Sequence, residues 1–242
     1  MAEPSPIAFY DFDGTLVSSN IVTRYAFFVR RLPSRARSLW KFSRLLASVP
    51  TYLALNRYSR RLFNEVFFRE YRGMREEWMR QQAGPLFNEV ILPSIYPGAR
   101  ELVEADRRQG YRTVLVTGEL GLVLGPVMGY FGFDDLIANS LVLRKDGTAT
   151  GEVSPPLIAE EVKVNAMVRI CRERGANLRC AKAYSDSFSD VPMLEAVGTP
   201  AAVNPDSRLK KIAKERAWPV LDLRNGGALL ETAEGKNHVS IP

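Results

Sequence analysis

Residues 7–17 of the 242-residue chain read Ile-Ala-Phe-Tyr-Asp-Phe-Asp-Gly-Thr-Leu-Val, and this stretch decides the fold. Ile7–Tyr10 is a short apolar run that predicts a buried strand. Asp11 and Asp13 follow it, and Asp13-Gly14-Thr15 predicts a loop. Because ligand sites in open α/β sheets lie beyond the carboxyl ends of strands, these two carboxylates are candidate site residues.

A long helical stretch follows, and strands then alternate with helices. From about Ile21 to Leu92 apolar residues recur at helical spacing, and Pro33, Pro50 and Gly73 break the predicted helices. Further strands are predicted at Arg112–Val116, Leu136–Leu143, Arg179–Tyr184, Pro200–Val203 and Pro219–Leu223. The helices between them are predicted at Ala99–Gln109, Leu120–Phe131, Glu160–Arg174, from Asp190 onward, and at Ser207–Arg216. This alternation predicts an α/β fold with a doubly wound parallel sheet and a helical insertion after the first strand.

The same pattern predicts three parts of the chain. Residues 1–18 and 94–223 form the catalytic core, and residues 19–93 form a helical cap segment. Residues 224–242 are predicted to be a loose tail. Within the core, Lys145-Asp146-Gly147 predicts the turn of a hairpin.

Composition excludes several classes of enzyme. Apolar residues make up 46% and charged residues 25%, which is typical of a globular protein. Cys171 and Cys180 fit no metal or redox spacing. The only histidine is His238, which argues against Ser-His-Asp or Cys-His catalysis and against multi-histidine zinc sites. Acid–base chemistry is therefore expected from carboxylates or lysine.

The net charge of +6 is unevenly distributed. No acidic residue occurs between Asp13 and Glu65. Basic residues fill that interval, at Arg24, Arg30, Arg31, Arg35, Arg37, Lys41, Arg44, Arg57, Arg60 and Arg61. Such a segment is a solvated basic face, or it contacts an anionic substrate, an anionic membrane or nucleic acid.

The sequence predicts a cytoplasmic protein. Its first residues show no basic segment followed by an apolar one, as a signal peptide would. The longest apolar runs, near Leu45–Leu55, fall short of the roughly 18–20 residues that span a bilayer. The basic cap segment leaves peripheral membrane contact open as an alternative.

Polar residues also follow later strands. Thr117 follows the second predicted strand, and Asp186 and Asp190 follow a later one. Several carboxylates at one edge of a sheet repel one another unless a cation joins them. Oxygen ligands favour a hard metal, so Mg²⁺ is the expected cofactor.

Four motifs in order resemble those of the haloacid dehalogenase superfamily phosphatases. Asp11–Val17 resembles their DxDGT signature, and Val114–Gly118 resembles their second motif. Lys163 lies where the third-motif lysine is expected, and Tyr184–Asp190 resembles the acidic fourth motif. The resemblance implies a Rossmann-like core whose C1-type helical cap is similar to that of the phosphoserine-phosphatase-like subfamily.

The resemblance also implies the catalytic roles. Asp11 is the expected nucleophile, which forms an aspartyl-phosphate. Asp13 is the expected general acid and base. Thr117 and the Gly118 N–H, at a helix N-terminus, are expected to bind a phosphoryl oxygen. Lys163 is expected to neutralise Asp11 and the phosphoryl group, although Lys145 and Lys182 are alternatives by sequence.

The resemblance places Mg²⁺ on three of these positions. Asp11 and Asp186 supply carboxylates, and Asp13 supplies its main-chain carbonyl. Asp190 is a supporting residue that holds a metal-bound water or orients Lys163. The reaction is phosphoryl transfer to water, with transfer to another acceptor left open.

The substrate is less well specified. Phosphoserine phosphatases have a glutamate nine residues after the nucleophile, where this chain has Asn20, the candidate substrate-binding residue of the cap. Their second motif is typically Ser-Gly-Gly, and here it is Thr117-Gly118-Glu119. Both departures argue against phosphoserine.

Aromatic residues interleave with the arginines of the cap segment. They form the cap's own interior, or an amphipathic surface that lies on anionic lipid. The second reading resembles phosphatidylglycerophosphate phosphatases and predicts a lipid phosphate, such as phosphatidylglycerophosphate or lysophosphatidate. The alternatives are a small phosphomonoester, such as phosphoserine or phosphocholine, and a non-catalytic module that binds membrane or nucleic acid. With all four motifs present, nucleic acid is an unlikely partner.

Overall fold

A computed structural model describes residues 5–225 and 228–231. Its strands are β1 (Ile7–Tyr10), β2 (Arg112–Leu120), β3 (Asp135–Asn139), β4 (Leu141–Leu143), β5 (Ala149–Val153), β6 (Lys182–Ser185), β7 (Thr199–Val203), β8 (Val220–Asp222) and β9 (Ala228–Glu231). Its α-helices are α1 (Ile21–Arg30), α2 (Arg35–Tyr58), α3 (Arg60–Phe67), α4 (Glu76–Gln81), α5 (Ala83–Leu86), α6 (Ala99–Arg108), α7 (Gly125–Phe131), α8 (Glu161–Glu173), α9 (Val191–Ala196) and α10 (Ser207–Glu215).

Seven strands form one sheet in the order β3-β2-β1-β6-β7-β8-β9. Every neighbouring pair is parallel except β8 and β9. The apolar run of β1 suits its central position, because such a strand is covered on both faces. Ala8 and Tyr10 pack into one core cluster, and Ile7 and Phe9 pack into the other. The predicted doubly wound α/β fold is confirmed.

The helical insertion follows β1 and comprises α1 to α5. Its interior is aromatic: the ring centroids of Tyr25 and Phe67 lie 5.5 Å apart, and those of Phe63 and Phe67 lie 5.4 Å apart. These rings belong to the same buried cluster as Tyr10, so the insertion packs directly on one face of the sheet. Its boundaries at residues 19 and 93 stay a prediction.

The prediction that Pro50 interrupts the second helix is wrong. α2 runs from Arg35 to Tyr58 with Pro50 inside it. Proline removes one main-chain hydrogen bond from a helix and clashes with the preceding turn, so other contacts must hold the helix together. Leu45 and Tyr52, before and after Pro50 in the helix, are both buried and anchor its two halves. The weak point predicted at Gly73 is confirmed, because no helix continues through it and its φ is 79°.

Pairing in the sheet shifts other predicted boundaries. β2 continues to Leu120, where it still pairs with Asn139, so the helix predicted from Leu120 begins at Gly125. The strand predicted at Leu136–Leu143 divides in two, because β3 joins the main sheet whereas β4 pairs with β5. The hairpin predicted at Lys145–Gly147 is confirmed.

Two corrections concern the end of the core. The strand predicted from Arg179 begins at Lys182, because Leu178–Cys180 forms a 3-10 turn. The loose tail predicted from residue 224 is wrong for Ala228–Glu231, which pairs with β8 as an antiparallel strand. Residues 226–227 and 232–242, and with them His238, lie outside the described residues.

Candidate active site

The loop after β1 brings two aspartates to the edge of the sheet. The Asp11 N–H donates to the Tyr184 carbonyl of β6 at 2.9 Å, which fixes the start of the loop. Gly14 has a φ of 84°, and a Cβ there would lie 2.1 Å from Asp186 Oδ2. Glycine therefore permits both the turn and the close approach of Asp186.

Lys163 of α8 joins Asp11 to Asp190. Its Nζ donates to Asp11 Oδ1 at 2.6 Å and to Asp190 Oδ2 at 2.7 Å, and all three side chains are buried. The Ser185 hydroxyl also donates to Asp190 Oδ2, at 2.7 Å. Burial raises the pKa of Asp11 to about 6, although Lys163 opposes that shift. Burial lowers the pKa of Lys163, but the two aspartates outweigh it and raise the pKa overall.

The two alternative lysines lie elsewhere. Lys182 Nζ donates to Asp106 Oδ1 at 2.6 Å and to Gln109 Oε1 at 2.9 Å. Lys145 is exposed in the turn between β4 and β5. Of the three candidates, Lys163 is the lysine that contacts Asp11.

Thr15 connects Asp11 with Asp186. Its hydroxyl lies 3.2 Å from Asp11 Oδ2 and 3.1 Å from Asp186 Oδ1, and it accepts from the Asp186 N–H at 3.0 Å. Burial raises the pKa of Asp186 well above its usual range, and the nearby charges of Asp11 and Asp190 raise it further. Two carboxylates are thus held close together on one side of the site.

The second motif lies within β2. Thr117 is buried, and its hydroxyl accepts from the Glu119 N–H at 3.1 Å. A Cβ at Gly118 would lie 2.9 Å from Asn64 Nδ2 of the cap segment, so glycine allows this contact. The expectation that Gly118 lies at a helix N-terminus is wrong, because the strand continues and α7 begins at Gly125.

These side chains surround one cavity of about 210 Å³ at the edge of the sheet. Its lining includes seven predicted site residues, namely Asp11, Asp13, Thr117, Gly118, Lys163, Asp186 and Asp190. They come from the segments that follow β1 and β6, from within β2, and from α8. The parallel order β2-β1-β6 brings them together.

The eighth candidate, Asn20, does not line this cavity. It is exposed at the start of α1, where its Oδ1 accepts from the Val22 and Thr23 N–H groups at 3.0 and 3.1 Å. The Thr23 hydroxyl lies 3.0 Å from the Asn20 nitrogen, which completes a capping box. Asn20 thus stabilises the start of the cap helix.

The structure adds cap residues that the motifs did not indicate. Arg60 and Asn64 line the same cavity, and Arg60 Nη2 lies 3.8 Å from Asp13 Oδ2. Asn64 is buried, and its Nδ2 has no hydrogen-bond partner within residues 5–225 and 228–231. Arg24 forms ion pairs with Asp13 and Glu119. The excess of basic residues between Asp13 and Glu65 indicated that arginines could contact an anionic substrate, but no sequence signal indicated Asn64.

Comparison with known proteins gives the family. The haloacid dehalogenase-like hydrolase family matches residues 8–195, so the chain belongs to it. The chain is 32% identical over 220 residues to a probable phosphatase of Mycobacterium tuberculosis, a match that covers 88% of this chain and 74% of that protein. It is 35% identical over 142 residues to phosphoserine phosphatase SerB1 of the same organism, covering 57% of this chain and 45% of that one. The family that the four motifs resemble is therefore confirmed.

A solved structure shares the whole architecture. It is a protein of unknown function from Bordetella pertussis, with a TM-score of 0.77 and 27% identity, covering 90% of this chain and 99% of that one. The chain spans about half the length of the first curated relatives that it matches.

Proposed function

We propose that this haloacid dehalogenase-like hydrolase is a Mg²⁺-dependent phosphatase that cleaves phosphomonoesters through an aspartyl-phosphate on Asp11. The observation that carries the proposal is the contact between Lys163 and Asp11 inside a cavity that four further aspartates line. A buried carboxylate paired with a lysine can act as a nucleophile toward phosphorus without a histidine.

In the first step an oxygen of Asp11 attacks phosphorus, and the bond from phosphorus to the ester oxygen breaks. Asp13 donates a proton to that oxygen, so the alcohol leaves neutral. Lys163 and the Thr117 hydroxyl stabilise the charge that develops on the phosphoryl oxygens. With its pKa raised to about 6, Asp11 is still mostly ionised at neutral pH and available for attack.

In the second step water attacks the phosphorus of the aspartyl-phosphate. Asp13 accepts the proton of that water, the bond from phosphorus to Asp11 breaks, and inorganic phosphate leaves. Asp190 contributes by holding Lys163, since it shares the Lys163 ammonium with Asp11. The sum is one ester and one water converted to one alcohol and one phosphate. An alcohol in place of water would make the enzyme a phosphotransferase.

The donor set fits a hard divalent cation. The buried carboxylate of Asp11 and the partly buried carboxylate of Asp186 both lie beside the Thr15 hydroxyl, and the Asp13 main-chain carbonyl belongs to the same loop. Within residues 5–225 and 228–231 no three acidic, histidine or cysteine side chains form a metal cluster, so main-chain or solvent oxygens would complete the ligands. Mg²⁺ bound there supplies positive charge to the transferring phosphoryl group.

The size and the lining of the cavity favour a small phosphorylated molecule as the substrate. Its volume is about 210 Å³, and Arg60 and Asn64 offer donors on the cap side. A relative named phosphoserine phosphatase supports a small substrate. Against phosphoserine itself stands Asn20, which is neutral and caps α1.

A second candidate substrate is a phosphorylated lipid, which the exposed surface of α2 favours. Large apolar residues project from it: Leu39 is 69% exposed, Trp40 57%, Leu46 58%, Leu53 67% and Tyr58 83%. Leu39, Leu46 and Leu53 are seven residues apart, so they share one side of the helix. Arginines are interspersed and acidic residues are absent, a charge pattern complementary to an anionic membrane.

The proposed location is cytoplasmic, with peripheral contact to the membrane. Among the described residues, no helix is both long enough and apolar enough to cross a bilayer. Flotation with phosphatidylcholine vesicles, with and without phosphatidylglycerol, tests the contact. Leu46→Ser with Leu53→Ser should abolish binding to the anionic vesicles, whereas Val168→Ser on α8 is the matched control. Equal loss in the control, or no binding by the wild type, would leave α2 a solvated face.

The proposed activity is tested by phosphate release across a panel of esters, with Asp11→Asn protein as the blank. The panel holds p-nitrophenyl phosphate, phosphoserine, phosphocholine, lysophosphatidate and phosphatidylglycerophosphate, each assayed with Mg²⁺ and with EDTA. Release that requires Mg²⁺ and Asp11 supports the proposal, and the preferred ester identifies the substrate class. Folded protein that releases phosphate from none of them would favour a non-catalytic binding role.

A further inference from the structure

Arg24 of the cap segment is completely buried against the active site. Its relative exposure is 0%, and its guanidinium lies 5.2 Å from the centroid of the Phe12 ring. Its Nε is paired with Glu119 Oε2, its Nη2 is paired with Asp13 Oδ1, and its Nη1 donates to the Ser19 hydroxyl at 3.2 Å. One guanidinium thus bridges the proposed general acid and a carboxylate of the core.

Glu119 is fixed independently of Arg24. It is buried in β2, and its Oε1 accepts from the Leu120 N–H at 2.7 Å. Its own N–H donates to the Thr117 hydroxyl at 3.1 Å. The carboxylate that holds Arg24 is therefore part of the rigid sheet. Glu119 also occupies the motif position where phosphoserine phosphatases typically have glycine, and the bridge gives that departure a physical reason.

The two oxygens of Asp13 have different partners. Oδ1 is paired with Arg24, whereas Oδ2 forms a longer ion pair, at 3.8 Å, with Arg60, which lines the cavity together with Asp13. A planar guanidinium that engages two carboxylates at once restricts the rotation of both. We infer that Arg24, held by Glu119, is a positioning residue that keeps Asp13 Oδ2 turned toward the leaving-group oxygen of the substrate.

The orientation of Asp13 therefore also depends on where the cap segment lies. Arg24 belongs to α1, the first helix after β1, whereas Glu119 belongs to β2. Displacement of α1 from the sheet would separate the two and free Asp13 to rotate. The inference rests on the proposed phosphatase activity, because only a reaction with a leaving group needs a positioned acid.

The test compares two esters that differ in their need for protonation. p-Nitrophenyl phosphate has a good leaving group, and the best alkyl phosphate of the panel has a poor one. Arg24→Met keeps an unbranched side chain without the charge. We expect kcat/KM for the alkyl phosphate to fall about 100-fold and that for p-nitrophenyl phosphate less than 10-fold, since a positioned acid contributes on the order of 10²–10⁴-fold.

Glu119→Gln and Arg112→Met complete the comparison. Glu119→Gln should produce the same bias toward the activated ester, and the double variant should lose no more than Arg24→Met alone, because Glu119 acts through Arg24. Arg112→Met breaks an ion pair with Asp135, outside the cavity and outside α2, and should not change the ratio between the two esters. If Arg24→Met does not fold, Arg24→Lys and Glu119→Gln carry the test, since lysine cannot bridge both carboxylates in the same way.

Equal losses on both esters in folded variants would overturn the inference and make Arg24 a structural residue only. Additive losses in the double variant would overturn the role of Glu119. If the wild-type protein releases no phosphate that requires Mg²⁺ and Asp11, the proposed function fails first. The two failures are therefore distinguishable.

Discussion

Two of the buried groups of charged side chains can be compared directly, one around Glu70 in the cap segment and one around Asp11 in the core. The Glu70 carboxylate accepts from the Tyr52 hydroxyl at 2.8 Å and from Arg44 Nε at 3.1 Å, while Lys41 Nζ donates to the Glu70 carbonyl at 2.5 Å. The group around Asp11 is just as well paired, through Lys163 and Asp190.

The difference lies in what each group faces. The Glu70 carboxylate is enclosed by tyrosine and arginine donors from α1 and α2. The Asp11 group opens onto the cavity that Asn64 and Thr117 also line, and the Asn64 amide there has an unused donor among the described residues. Burial of charge alone therefore does not distinguish the two groups. The group around Asp11 differs in lying beside a cavity with an unused hydrogen-bond donor.

Removal of the proposed nucleophile should give the largest difference in activity between variants of the two groups. Asp11→Asn should lower phosphate release at least roughly 10⁴-fold, since a nucleophile cannot be replaced by the rest of the site. The melting temperature, measured by circular dichroism, should show a folded protein. Substantial residual Mg²⁺-dependent release would contradict the assignment of Asp11.

Removal of the Lys163 ammonium should cause the second largest loss of activity. Lys163→Met leaves Asp11 and Asp190 buried without their shared cation, and kcat should fall about 10²–10³-fold. Lys182→Met is the matched control, because it breaks another lysine–aspartate pair, between the partly buried Lys182 and the buried Asp106, outside the cavity. The control should lower the free energy of unfolding and leave kcat within about threefold.

A substitution in the group around Glu70 should lower stability and leave activity almost unchanged. Glu70→Gln weakens its bonds to Tyr52 and Arg44, so the free energy of unfolding in urea should fall by about 1–3 kcal/mol. Phosphate release per folded molecule should stay within about twofold. A loss of activity as large as that of Lys163→Met would mean that the two groups are coupled.

The smallest expected effect is a dependence of stability on pH. Burial, with a smaller contribution from the neighbouring Arg44 and Arg37, lowers the pKa of Lys41 from 10.5 to about 8, against the opposing effect of Glu70. Between pH 8 and 10.5 the unfolded chain binds more protons at this lysine than the folded one, so its contribution to stability rises with pH. Relative to Lys41→Met, the wild type should gain stability from pH 8 to 10. A constant difference would show that Lys41 keeps its charge in the fold.

Much of the core site was predictable because its chemistry is local in sequence. Asp11 and Asp13 follow an apolar strand, and Asp186 and Asp190 follow another, so strand ends alone placed them at one edge of the sheet. Lys163 was harder to assign, since three lysines fitted by sequence. Only the contact of its Nζ with Asp11 separates it from Lys145 and Lys182.

The cap contribution was not predictable in the same way. Asn20 had the right separation from Asp11 for a substrate contact, yet its side chain caps α1. The sequence does not distinguish these cap residues from their neighbours. Arg24 and Arg60 are two of many arginines in the segment, and no motif contains Asn64. Their roles depend on how helices pack across the sheet, which helical periodicity does not specify.

The sequence by itself determined the alternation of strands and helices, the catalytic family and the aspartates, because each depends on neighbouring residues or on short motifs. The tertiary structure decided which lysine contacts Asp11, that Pro50 remains inside a helix, and that Arg24 bridges Asp13 and Glu119. These features join residues 95 to 152 positions apart, as in the pairs Arg24–Glu119 and Lys163–Asp11, or depend on packing before and after Pro50 in a helix. These contacts are determined by packing between residues far apart in the sequence, which local patterns of residue types do not specify.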